Sequence, residues 1–590
     1  MEVTRVFDIL DKLQTYPKPD ILSAKVNKQW QRYSTSDFLN HVNWVSSALL
    51  HYGLNSGDKV ALLAGNSPQW NFVDFGSQQV NITTAPIFPT INDEDLKYIL
   101  NHCEARMIFV SDRAGALKIQ KLKPELKHLE QVVSFGSHEN CISFEDFLEK
   151  GKSYLDADRI RSIKDSIKPG DLFTLLYTSG TTGQPKGVML SHYNMLSNVK
   201  ICENIAPFTP EWKALSFLPL NHVYERFLST LYLYKHVSIY YAENFETIGE
   251  NCREIHPQLF VAVPRILEKV LEKICAKGEE LKGVKRKIFD WSLQLAERFE
   301  LKGANGAWYE VQRKIADKLV YKKWREAVGG EIVIIVSGGA ALNPRIERIF
   351  YCAGLNLLQG YGLTETCVVV AVNRIEEHRR MFGTVGLVVE NSVVKIAEED
   401  GEILVKGPSV MMGYYKNQEA TTEVIDAEGW FHTGDVGTMV EGRFLKITDR
   451  KKEIFKNSAG KYISPVLIEN KLKESKFIEQ CMVIGENQKF VSAFIVPSLS
   501  AFKEYCKTRQ INWSNDADMM HHEELKKIIQ EHVKKVNSGL APFEQVKRQQ
   551  LVFETWTIEK GEITPKLSLR RKIILQKHHD LFHKIFLHEE

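Results

Sequence analysis

Apolar positions along the chain fall into two alternating rhythms. "STSDFLNHVNWVSSALLHYG" (34–53) spaces its apolar residues three and four apart, opens on Ser/Thr and closes on Gly53. That is the pattern of a capped amphipathic helix. "KVALLAG" is a short unbroken apolar run and predicts a buried strand. "SPQWNFVDFGSQQV" returns to helical spacing, with Pro68 in its first turn. "INDEDLKYILNHCE" and "ARMIFVS" repeat the pair, helix then strand. Strands and helices alternating through short connections predict parallel α/β layers, and no repeat of fixed period interrupts them.

Gly170 and Asp171 precede "LFTLLYTSG", a strand running into "YTSGTTGQPKG" (177–187). "SHYNMLSNVKICENI" predicts a helix capped by Ser191. The glycine-rich stretch is therefore expected between a strand and a helix, where N–H groups point outward and the helix dipole favours an anion. Residues 266–329 read as mostly helical and rich in Lys and Arg, and "EIVIIVSGG" reads as a strand. Beyond Asn391, short β-like runs ("SVVKIAE", "GEILVKG", "RFLKITD") alternate with Gly turns. At Asp449, "DRKKEIFKNSAGKYISP" reads as a linker. The expected domains are 1–448 and a smaller α+β domain, 449–590.

Composition narrows the class. Lys and Arg total 77 against 74 Asp and Glu, a net charge of +3, which argues against nucleic acid as a partner. The nine cysteines are dispersed, without a C-x-x-C pair or zinc spacing, as in a reducing compartment. The N-terminus lacks a secretory signal pattern, and runs such as "IVIIV" are too short to span a bilayer. A cytoplasmic protein is the expectation, with peripheral contact at the inner membrane surface left open. The helical insert holds fifteen Lys and Arg against ten Asp and Glu, along with Trp291, Trp308 and Trp324. Two readings stand: a basic amphipathic surface for anionic lipid, or a solvated helical face with its aromatics in the core.

The stretch 177–187 carries the chemistry. Four Ser/Thr hydroxyls (Thr178, Ser179, Thr181, Thr182) and three glycines (Gly180, Gly183, Gly187) surround Lys186. Clustered donors around a lysine point to an anion, and polyphosphate fits. A Walker loop requires lysine directly after the last glycine and Ser or Thr next. Here Gln184 and Pro185 intervene and Gly187 follows, so it is not a Walker loop.

"YTSGTTGQPKG" resembles the phosphate loop of the adenylate-forming superfamily of acyl-CoA synthetases, luciferases and peptide-synthetase adenylation domains. "GYGLTET" (360–366) resembles its adenine motif, "GWFHTGD" (429–435) its ribose motif and "DRKKEIF" (449–455) its hinge, in family order. The resemblance implies an α/β fold: a large N-terminal domain of layered α/β sheets with a β subdomain, and a small mobile C-terminal α+β domain. It implies ATP, Mg2+ and coenzyme A, and a two-step reaction through an acyl adenylate. It also implies residue roles. Thr178, Ser179, Gly180, Thr181, Thr182, Gly183 and Lys186 would hold the β and γ phosphates. Thr181 and Glu365 would contact Mg2+. Gly338, Gly339 and Ala340 of "SGGAAL", with Gly360, Tyr361, Gly362 and Thr364, would frame adenine, with Tyr361 stacking on it. Asp435 and Arg450 would hold the ribose, and Asp449 would be the hinge. His222, in "FLPLNHVYERF", would neighbour the carboxylate and α-phosphate.

One position departs from the family. Its C-terminal catalytic lysine falls at Ser568 of "ITPKLSLRRK". Lys566, two residues earlier, is the expected substitute; impaired adenylation or another basic residue are the alternatives. "VPRILEKV" and the helical insert resemble long-chain fatty acyl-CoA synthetases, which implies a long-chain fatty acid whose buried tail gains about 0.8 kcal/mol per CH2. A fatty acyl-AMP ligase serving a carrier protein and a non-catalytic lipid-binding relative are the alternatives. Chain-length preference and oligomeric state have no signal in the sequence.

Overall fold

The computed structural model describes residues 2–178, 184–451, 453–513, 515–516, 518, 521–557, 560–563 and 569–587. The chain divides into two compact units. One comprises 1–395, 404–433 and 439–446; the other comprises 396–403, 434–438 and 447–590.

Local signals set the helices of the first unit. Ser34 caps helix Thr35–His51 through a capping box with Asp37. Ser67 caps helix α1 (Pro68–Gln78), with Pro68 at its start. Two sheets carry the layers. In the first, strands Thr83–Pro86, Lys59–Leu63, Ala105–Val110, Gln131–Ser134 and Ile142–Ser143 lie in that order and are parallel. Strand β1 (Leu172–Thr178) joins them in parallel beside Thr83–Pro86. The unbroken apolar runs of these strands, such as Val60 to Leu63, are buried, as in sheets covered on both faces.

The expectation of a strand leading directly into a helix is corrected here. Residues 186–191 form strand β2 (Lys186–Ser191), antiparallel to β1, with Thr178 opposite Lys186 and Tyr177 opposite Gly187. The helix capped by Ser191, His192–Cys202, starts only after it. Val188 and Leu190 are fully buried, and their burial holds this short segment extended.

From its Gln29–Tyr33 edge, the second sheet, of thirteen strands, passes through Leu22–Val26, Ser238–Tyr241, β3 (Lys213–Ser216), β4 (Leu259–Ala262), β5 (Ile334–Ser337), β6 (Leu357–Tyr361), Ala371–Val372 and Gly386–Val388, and continues into Phe444–Arg450. Leu22–Val26 through β6 are parallel, and the outer members are antiparallel. Helix α2 (Val223–Tyr234) links the layers through Arg226. Its buried guanidinium pairs with Asp74 of α1 and donates to Thr84 and Thr174 on the first sheet.

The insert is helical over Pro264–Glu279, Gly283–Glu297, α3 (Ala307–Ala316) and Lys322–Ala327, with a π turn at Asp317–Tyr321. Its tryptophans divide between the two readings. Trp324 is buried against Phe289 and Tyr321, Trp291 is half-buried, and Trp308 is 72% exposed. All nine cysteines are free. Among the described residues no helix is long and apolar enough to cross a membrane.

The second unit is built on a three-stranded sheet, Ile478–Ile484, Val491–Pro497 and Val546–Leu551. Its apolar strands bury both faces by simple alternation. Cys481, Val483, Ala493 and Ile495 face Ile468, Phe502 and Ile529, while Met482, Ile484, Phe494 and Val496 face Trp556 and Ile574. The segment read as a linker is not irregular. Asp449 and Arg450 end strand Phe444–Arg450, and Phe455–Lys456 pairs with Tyr462–Ile463 as a hairpin.

Candidate active site

In open α/β sheets, ligands bind beyond the carboxyl ends of parallel strands. In the first unit, "SGGAAL", "GYGLTET" and "FLPLNHVYERF" fall at the ends of β5, β6 and β3. Ser337 lies beside Gln359, so Gly338 after β5 and Gly360 on β6 are neighbours. Gly338 N donates to Ala262 O at the end of β4, at 3.4 Å. Gly338 also rests against Tyr224: a Cβ added there would lie 3.0 Å from its hydroxyl. Gly339 and Ala340 are exposed at the same turn. Tyr224 lies in the first turn of α2, and His222 is that helix's cap. Nδ1 of the half-buried His222 accepts from the Tyr224 N–H at 3.1 Å. A neutral imidazole has one N–H, so in that form Nε2 carries the proton and is a donor.

The glycine-rich stretch enters from the other sheet as a hairpin closed by the Thr178–Lys186 pair. Ser179, Gly180, Thr181, Thr182 and Gly183 lie outside the described residues. Tyr177 spans the hairpin base and hydrogen-bonds His102 Nδ1 at 2.8 Å. Its ring lies so close over Gly187 that a Cβ there would be 3.1 Å from Cζ, which accounts for glycine at 187. Strand β7 (Gly413–Tyr414) pairs antiparallel with β2, placing Tyr414 opposite Val188. The Lys186 ammonium sits 5.1 Å from the centre of the Tyr414 ring. The Tyr414 hydroxyl donates to Glu365 Oε1 at 3.1 Å. Burial first, and the Glu365 carboxylate second, push that hydroxyl's pKa up, so it keeps its proton and remains a donor.

Glu365 stands in a single helical turn, Thr364–Thr366, just beyond Tyr361. Its backbone is pinned by Met411 N donating to Glu365 O at 2.8 Å. Asn198 Nδ2 donates to the carbonyls of Thr366 and Cys367 at 3.2 and 3.1 Å. Gly362 admits no side chain, because a Cβ would fall 1.2 Å from Val368 O. Tyr414 escaped the sequence reading; its available signal was the "MMGYYKN" turn.

Asp435, Arg450 and Asp449 belong to the second unit. Asp435 is buried and accepts from Arg450 Nε at 2.7 Å. Glu402 accepts from Gly434 N at 2.8 Å and from Lys451 Nζ at 2.7 Å, tying together the chain neighbours of Asp435 and Arg450. Asp449 is buried, which raises its carboxyl pKa, and it accepts from the N–H of Arg450 at 2.7 Å. Lys566 and Ser568 lie outside the described residues.

Among the described residues no cluster of three or more His, Cys, Asp or Glu could cage a metal. Glu365, one half-buried carboxylate fixed through Oε1 beside Lys186, suits a Mg2+ that takes its remaining ligands from phosphates and water.

The AMP-binding enzyme family matches residues 12–415, and the AMP-binding enzyme C-terminal domain matches 453–590. The chain is 30% identical over 567 residues to the long-chain-fatty-acid–CoA ligase FadD15 of Mycobacterium tuberculosis, covering 94% of this chain and 92% of that one. It is 29% identical over 595 residues to human long-chain-fatty-acid–CoA ligase 1, covering 94% and 82%. An anthranilate CoA ligase solved with anthranoyl-AMP shares the fold at a TM-score of 0.72, with 18% identity and 97% of both chains covered. A Mycobacterium tuberculosis fatty acyl CoA synthetase shares it at 0.65, with 17% identity and 98% and 99% covered.

Proposed function

The chain belongs to the AMP-binding enzyme family, and from that premise we propose that it is an AMP-forming long-chain fatty acid–CoA ligase. In the first step a carboxylate oxygen of the fatty acid attacks the α-phosphorus of ATP, and pyrophosphate leaves. In the second, the coenzyme A thiol attacks the acyl carbon of the adenylate, and AMP leaves. The observation that carries the reading is the grouping of Lys186, Tyr414 and Glu365, in a chain that matches long-chain ligases along 94% of its length.

Both reactants of the first step are anions, so charge must be neutralised before they meet. Thr178 and Lys186 bind the β and γ phosphates, together with Ser179, Gly180, Thr181, Thr182 and Gly183. Glu365, with Thr181, would hold Mg2+, which would supply positive charge to screen the phosphates. Gly338, Gly339, Ala340, Gly360, Tyr361, Gly362 and Thr364 receive adenine. Asp435 accepts from the ribose hydroxyls, with Arg450 fixing its carboxylate. His222 donates from Nε2 toward the α-phosphate or the acid. Lys566 supplies the ammonium absent at Ser568. Residues 449–590 form the C-terminal domain, with Asp449 as its pivot.

Fatty-acid-dependent ATP–pyrophosphate exchange across acids of increasing length, followed by AMP release with coenzyme A or a carrier protein, tests this. Exchange that rises with long chains and release driven by coenzyme A are expected. Release driven only by a carrier protein would make the chain an acyl-AMP ligase. Lipid binding without exchange would make it a non-catalytic relative.

A further inference from the structure

Helix α3 and the turns after it bury one face: Tyr309, Ala316, Val320, Tyr321 and Trp324 belong to the core. A surface helix ordinarily offers a polar face opposite. Here the outward side carries a second apolar stripe, with Trp308 72%, Val311 46%, Ile315 47% and Leu319 44% exposed. Their spacing of three, four and four residues places them along one side of the helix. Lys314, Lys318, Lys322 and Lys323 are exposed beside them.

The charge around the stripe is one-sided for a structural reason. Between residues 303 and 325 the only carboxylates are Glu310 and Asp317. Glu310 is held by Arg313 at 2.9 Å and Asp317 by Arg325 at 2.6 Å, and the next acid, Glu326, lies 4.0 Å from Lys322, a pair exposed on both sides, so Lys314, Lys318 and Lys323 carry the outward charge. A tryptophan, three aliphatics and a row of lysines suit an anionic lipid surface, where the ring and alkyl groups enter the headgroup boundary and the ammonium groups meet phosphates and carboxylates. A second copy of the chain fits less well, because a two-fold contact would set this cationic face against itself.

We propose that the Trp308–Leu319 face docks the protein onto anionic membrane, with Trp308, Val311, Ile315 and Leu319 inserted and Lys314, Lys318 and Lys323 on the headgroups. Four inserted side chains make the contact reversible and salt-sensitive. The proposal goes beyond the ligase reading and is measured without turnover, so either can fail alone.

The test is co-sedimentation of the full chain with phosphatidylcholine vesicles, with and without about one-third phosphatidylserine. Wild type is expected to partition onto the anionic vesicles, with a blue shift of emission that Trp308→Phe abolishes. Trp308→Ser/Ile315→Ser and Lys314→Gln/Lys318→Gln should each lower partitioning about tenfold or more, the lysine pair also flattening the salt dependence. Both variants should keep the wild-type far-ultraviolet circular dichroism and urea-unfolding midpoint, which shows that they are folded. Absent partitioning of wild type, or variants that bind as wild type does, would overturn the proposal. So would a dimer in solution that the Trp308→Ser/Ile315→Ser change dissociates, since the face would then serve a second copy.

Discussion

Tyr414→Phe removes one oxygen atom and separates the two contacts that this residue makes. The hydrogen bond to Glu365 Oε1, 3.1 Å long, is lost. The ring beneath the Lys186 ammonium, 5.1 Å away, remains. A hydrogen bond to a charged group contributes about 1.5–3 kcal/mol. If Glu365 must be held in place to support Mg2+ on the triphosphate, kcat/KM for MgATP should fall about 10- to 150-fold. Tyr414→Leu also removes the ring, and a cation–π contact of about 0.5–1 kcal/mol should cost a further factor of about two to five. ATP–pyrophosphate exchange at saturating fatty acid, with MgATP and free Mg2+ titrated separately, reads both effects. A raised Mg2+ requirement in Tyr414→Phe marks lost positioning of the carboxylate, whereas a general loss of folded protein would lower kcat without changing it. Exchange by Tyr414→Phe within twofold of wild type, at unchanged Mg2+ dependence, refutes the reasoning.

Three further outcomes are expected. Burial pushes the Glu225 carboxyl up to about 8, against an ordinary 4.5, so the folded chain retains a proton that the unfolded chain releases. That stability is complete below about pH 4.5 and is lost as pH rises through 8, on the order of a few kcal/mol. Glu225→Gln keeps the uncharged form, so its denaturation midpoint should gain on wild type from pH 5 to pH 8.5, and parallel pH curves would contradict this. Asp74→Ala strands the buried Arg226 guanidinium and should cost about 3–5 kcal/mol by urea unfolding, with much of it regained in Asp74→Leu/Arg226→Met; a cost below about 1 kcal/mol would show the pair to be solvated. Lys566→Ala should lower exchange about 100-fold or more, while Ser568→Ala stays within a few-fold of wild type. Normal exchange by Lys566→Ala would reassign the catalytic ammonium.

What could be read in advance was local. Ser34 with Asp37, and Ser67 with Pro68, carry their helix starts within four residues, and the structure has both caps. Strand β2 is not legible in the sequence because "KGVMLS" lies flush between a loop motif and a helix cap, and its extended form depends on Val188 and Leu190 meeting a core assembled from distant segments. Arg226 and Asp74 are 152 residues apart and carry no mutual signal in either neighbourhood. The second unit takes in 396–403 and 434–438, which no composition shift at Asp449 could reveal. Tyr414 is illegible for a related reason: a Gly-Tyr-Tyr stretch says nothing of the lysine and carboxylate that its ring and hydroxyl meet.

The hairpin changes the electrostatic argument for the phosphate site. A loop feeding a helix borrows roughly half a positive charge from the helix N-terminus. Here that helix begins only after Ser191, beyond a six-residue strand, so its start does not adjoin the loop along the chain. In the described part of the hairpin, the positive charge at the proposed phosphate site is the Lys186 ammonium. In β2, Lys186 shares a face with Val188 and Leu190, whose burial draws that face inward and sets the lysine stem toward β7. The ammonium then rests over Tyr414, and the same residue holds the carboxylate proposed for the metal. One aromatic side chain, fixed by the pairing of β7 with β2, thus positions the lysine charge and the proposed metal ligand together.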